Sequence, residues 1–100
     1  MVTVRPIWIE HKAFTAVEVK LPKTNLLVVS NEVGYIMCGA LDVDLLSEKL
    51  YEREIIAGRA VGVKTIDQLL EAPLEKVTNA AKEKFGWQEG MVGKEALLLL

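Results

Sequence analysis

The chain has 100 residues, a formal net charge of -2 and 26% charged residues, scattered rather than blocked. That balance excludes the basic footprint of a nucleic-acid or anionic-membrane binder, while one cysteine and one histidine exclude an internal disulfide and a His-rich metal site. Apolar residues reach 51% with tyrosine counted and glycine left out, above the about 45–50% of soluble domains with glycine included.

The first element, "VTVRPIWIE", is rich in β-branched and aromatic residues and contains Pro6. Proline donates no ladder hydrogen bond, so this strand is expected at a sheet edge or with a bulge. "AFTAVEVKL" alternates from Val17, with Val17, Val19 and Leu21 on one side and Glu18 and Lys20 on the other, the pattern of a half-buried antiparallel strand. "PKTN" is turn chemistry, and Asn31-Glu32 marks a second turn. The continuously apolar runs "LLVVS" and "YIMCGAL" read as central strands buried on both faces.

From Asp42 the period changes. "LDVDLLSEKLYER" sets Val43, Leu46 and Leu50 on one helical face, with Asp42 as N-cap. "EIIAGRAVGV" returns to strand composition. "KTIDQLLEA" opens a short helix with Thr65 and, three residues on, Gln68, the spacing of a capping box. Pro73 ends it and starts a second predicted helix, "PLEKVTNAAKEKFG", with Leu74, Val77, Ala81 and Phe85 at helical spacing and Gly86 to close it. "WQEGMVGKEALLLL" follows as a glycine-rich turn into a short helix or extended tail. The expected architecture is α+β: one domain over residues 1–100 and a two-layer sandwich, with helices on one face of a mostly antiparallel sheet. Residues 1–40 are mainly β and residues 41–100 mixed. A domain of this size has little interior for its apolar surplus, so the N-terminal strands are expected to contact further copies of the chain, as a dimer or tetramer.

Three places carry candidate chemistry. Cys38 ends a strand that feeds a helix, and a thiol with a lowered pKa there would be a nucleophile or redox group. No base stands near it in sequence, His11 falls between two strands, and free cysteine is also a common core residue. "GMVGKEA", with Gly93 and Lys94, is a glycine turn into a helix able to hold an anion on backbone N–H groups. It is not a P-loop, since the first glycine would fall at Gln88 and Glu95 replaces the Ser or Thr. Lys64 and Thr65 stand where a strand meets a helix, although an N-cap explains Thr65 and a solvated charge explains Lys64. If the chain ends at Cys38 and Lys64 converge, a thiol and a lysine share a pocket. Asp42 and Asp44 read as helix capping rather than a cation site, and Trp8 and Trp87 as packing or interface anchors.

"GYIMCGALD", "AGRAVGVKTIDQLLEAP" and "EGMVGKEALLLL" together resemble the YunC-like family, small bacterial and archaeal proteins classed as a domain of unknown function. The likeness runs from about Val2 to Leu98. It implies a two-layer α/β sandwich whose β-rich N-terminal region forms oligomers, reportedly tetramers. It implies no catalytic residues, because the family has no established activity. The chain departs from the pattern in lacking an aromatic at Ala40 and in a slightly longer linker, "YEREI".

The reading at this level is an uncharacterised cytoplasmic, homo-oligomeric binding or structural module without catalysis, metal, cofactor, nucleic acid or membrane. It competes with a Cys38-dependent enzyme or thiol-redox protein, and with a binder of a small anionic ligand near Lys64 and Lys94. "MVTVRPIWIE" lacks a signal-peptide layout, and no apolar run approaches the about 20 residues needed to cross a bilayer.

Overall fold

The structure is a computed structural model and describes residues 1–39 and 53–100. The helix expected from Asp42, with Asp44 in its first turn, lies outside the described residues, as do Ala40 and the first two residues of "YEREI", Tyr51 and Glu52.

Six strands form one sheet in chain order: β1 (Val2–Ile9), β2 (Lys12–Leu21), β3 (Thr24–Ser30), β4 (Gly34–Met37), β5 (Ile56–Arg59) and β6 (Lys76–Val77). Every neighbouring pair is antiparallel except β4 and β5, which are parallel. Pro6 lies in β1, the edge strand, as a residue without an N–H requires. β3 and β4, the two continuously apolar runs, are the central strands. Two-residue turns join the first hairpins: Ile9 pairs with Lys12 and Leu21 with Thr24.

The described residues also form three helices, α1 (Ile66–Glu71) between β5 and β6, then α2 (Asn79–Phe85) and α3 (Gly93–Leu98). They share one core with a single face of the sheet, where Phe14, Leu27, Val29, Ile36 and Ile56 meet Ile66, Leu69, Ala81 and Leu97. Trp87 is wholly buried there, its indole N–H donating to the Ala96 carbonyl at 3.0 Å. The fold is α+β, a mostly antiparallel sheet with helices packed on it.

α1 begins as its sequence predicts. The Thr65 hydroxyl accepts from the Gln68 N–H at 3.1 Å, and the Gln68 side chain accepts in return from the Lys64 N–H at 2.8 Å. The helix expected from Pro73 does not form there. Lys76 and Val77 instead pair with Arg59 and Gly58 as β6, and α2 starts six residues later with Thr78 as N-cap. Leu74 and Val77 stand three apart, which fits a helix, yet both are buried against β5, and Gly58 leaves room for them. Gly86 closes α2 in the left-handed region at φ 70, where a Cβ would be strained.

The register also decides which side of the early strands looks inward. Phe14 and Ala16 enter the core, and across from them Ile7 and Arg5 share their face. Val17 and Val19 therefore lie on the opposite face, away from the described helices, level with Val4 and Val2.

Candidate functional site

Cys38 follows β4 and is buried at 6% exposure. Its N–H donates to the Leu27 carbonyl at 3.1 Å, and its thiol lies 3.8 Å from the Asn25 carbonyl. Asn25 in turn reaches across to the connection after β5, its side-chain amide 3.5 Å from the Lys64 carbonyl. The thiol and the Lys64 segment thus meet on two sides of Asn25. His11 does not join them. It occupies the β1–β2 turn, whereas Cys38 is level with Leu27 and hence with Glu18, which lies farther along β2. At about 3.3 Å per residue the separation is roughly 20 Å along the sheet.

Lys94 is placed elsewhere. Its ammonium lies 2.9 Å from Glu71 at the end of α1, while Lys64 precedes the start of that helix. The two lysines are about 9 Å of helix apart. The glycine turn before Lys94 also uses its own amides: Gly90 donates to the Leu74 carbonyl at 2.8 Å and Gly93 to the Ala72 carbonyl at 3.0 Å. Gly93 is a glycine for packing. A Cβ there would stand 2.7 Å from the Leu69 carbonyl oxygen and 2.8 Å from Ile36.

Among the described residues, two open clefts lie beside the sheet. One, about 540 Å³, lies between the β2–β3 turn and the connection after β5, walled by Lys23, Asn25, Val63 and Lys64. Sequence reasoning singled out Lys64 at a strand-to-helix junction and did not single out Lys23 or Asn25. The "PKTN" segment was legible as a turn, but nothing local tells which distant loop a turn will face. The other cleft, about 310 Å³, is formed by the β3–β4 turn and Tyr35 against the chain entering β5. Burial pushes the Tyr35 phenol above its ordinary pKa of 10.0. Among the described residues no group of three or more His, Cys, Asp or Glu side chains is placed to hold a metal ion, and no helix is long and apolar enough to cross a membrane.

The outer face of β1 and β2 has a different character. Val2, Val4, Pro6 and Trp8 stand across from Val19, Val17, Thr15 and Ala13, and Leu21 continues the row. No charged residue occurs on that face of either strand. Val2, Val4 and Trp8 are 62%, 61% and 66% exposed. The charged residues of these strands (Arg5, Lys12, Glu18 and Lys20) all fall on the helix side, where Lys12 reaches the Leu98 carbonyl at 2.7 Å.

Comparison with known proteins gives three matches. Residues 37–100 match the family model described as "Domain of unknown function (DUF1805)". The chain is 68% identical over 98 residues to the "Uncharacterized protein YunC" of Bacillus subtilis (strain 168), covering 98% of this chain and 96% of that one. It is also similar to a solved structure, that of TA1206 from Thermoplasma acidophilum, described as a protein of unknown function. That match has a TM-score of 0.85 and 29% identity, over 97% of this chain and 90% of the other.

Proposed function

Because the chain belongs to the family of the domain of unknown function DUF1805, a description that names no reaction, we propose its role from the surface its fold leaves open: a non-catalytic module that assembles with copies of itself through its N-terminal strands. The uncharged outer face of β1 and β2 carries this reading. A sheet face turned to water ordinarily alternates polar residues outward, and an exposed tryptophan flanked by valines is the composition of an interface core. Burying a valine fully is worth about 1.5–3 kcal/mol, and a two-fold contact counts each residue twice. That gain is set against the entropy of association. A lone free thiol suits a reducing compartment, and the proposal places the module in the cytoplasm.

Light scattering tests it. The mass in solution should be two or four times the 11.1 kDa chain, and Trp8→Glu or Val4→Asp should lower it to one chain with an unchanged circular dichroism spectrum. A wild-type mass of 11.1 kDa at all concentrations would overturn the reading.

A further inference from the structure

We propose that the cleft between the β2–β3 turn and the connection after β5 binds a small phosphate-bearing molecule, held by Lys23 and Lys64. This goes beyond assembly through the outer sheet face and does not depend on it.

The first ground is charge. Among the described residues the cleft lining carries two lysines and no carboxylate. Neither ammonium makes an ion pair or hydrogen bond with a described residue, whereas Lys12, Lys82, Lys84 and Lys94 each reach a protein oxygen. Lys20 stands directly across from Asn25 in the β2–β3 ladder, outside the cleft lining itself. The chain as a whole is acidic, so this concentration of lysine runs against its overall balance. Two ammonium groups facing one volume favour a dianion. A phosphate monoester carries about -1.5 to -2 charges at neutral pH, and lysine binds phosphate as a point charge.

The second ground is construction. The walls come from distant parts of the chain and are pinned together by the Asn25 amide on the Lys64 carbonyl, 3.5 Å away. Behind Asn25 the buried Cys38 thiol packs at 3.8 Å from its carbonyl and backs that wall. A cleft of about 540 Å³ is of the size that holds a small ligand. Leu21 and Val63 offer carbon surface to the part of the molecule that is not phosphate, and the Thr24 hydroxyl offers a hydrogen bond.

The third ground is Lys23 itself. It follows Pro22 in a two-residue turn and has φ 67, the left-handed region where glycine or asparagine is preferred. A lysine at that position is unfavourable for the turn, and pairing with an anion in the cleft gives it a use.

Inorganic phosphate is the probe. Thermal unfolding of the full chain is followed in phosphate and in sodium chloride matched for ionic strength. Phosphate at about ten times its Kd should raise Tm by roughly 5 °C or more, and chloride should not. Lys64→Ala and Lys23→Gly should each abolish the shift, while Lys94→Ala should leave it intact. Lys23→Gly also guards against a folding artefact, because glycine suits the turn and the variant should melt no lower than wild type without phosphate. An equal shift in chloride, or a phosphate shift that survives both Lys64→Ala and Lys23→Gly, overturns the proposal.

Discussion

Cys38 shows how burial and distance together bear on the use of a side chain. A nucleophilic thiol needs access and a base or cation to hold the thiolate. Cys38 has 6% exposure, and His11, the chain's single histidine, sits at the far end of the sheet. Its thiol packs 3.8 Å from the Asn25 carbonyl. In the folded protein the thiol should therefore react with a disulfide reagent at neutral pH far more slowly than in urea, and His11→Ala should leave that rate unchanged. Rapid native-state labelling, or slowing by His11→Ala, would contradict this account.

Among the elements, the short stretch from β6 to α2 depends most on one residue. Thr78 is buried, and its hydroxyl donates to the Ile55 carbonyl at 2.6 Å while accepting from the N–H groups of Ala57 and Ala81 at 3.3 Å each. It thereby caps α2 and ties that helix to the chain entering β5. Thr78→Val keeps the volume and strands those partners, so unfolding free energy in urea should fall by about 2–3 kcal/mol. Thr78→Ser should recover most of it, and a loss confined to a few tenths of a kcal/mol would show that water satisfies the same groups. The packing of α3 on α1 depends similarly on Gly93, where a methyl group would meet the Leu69 carbonyl at 2.7 Å. A backbone oxygen yields less readily than a side chain, so Gly93→Ala should cost about 1–3 kcal/mol in the same measurement. A neutral effect would mean that α3 can slide.

At the scale of the whole molecule the sheet is asymmetric. One face meets the described helices and holds Trp87 wholly buried, and the other presents Trp8 at 66% exposure. The two indoles thus report separately on interior and outer face. Acrylamide should quench a large part of the fluorescence at nanomolar protein and less at higher concentrations as copies cover Trp8, and Trp8→Phe should remove that concentration dependence. Quenching of Trp8 that stays constant across the range would place it outside any contact.

Periodicity and punctuation were enough for much of the fold. Pro6 marked an edge strand, the unbroken runs of β3 and β4 marked the sheet centre, and Thr65 with Gln68 marked the start of α1, because these signals act through the local backbone. The stretch from Pro73 to Thr78 was not legible. Leu74 and Val77 suit either a helix or a strand, and only Gly58 across the sheet makes the strand the better packing. The inward face of β2 was equally hidden, since Val17 and Val19 alternate as well as Phe14 and Ala16 and the pairing partners choose between them. The candidate site divides the same way. Composition and local pattern drew attention to Cys38 and Lys64 as candidates, whereas bringing Lys23 and Asn25 near them and sending Lys94 to Glu71 took the closing of distant loops, a consequence of how the layers stack rather than of any short stretch of chain.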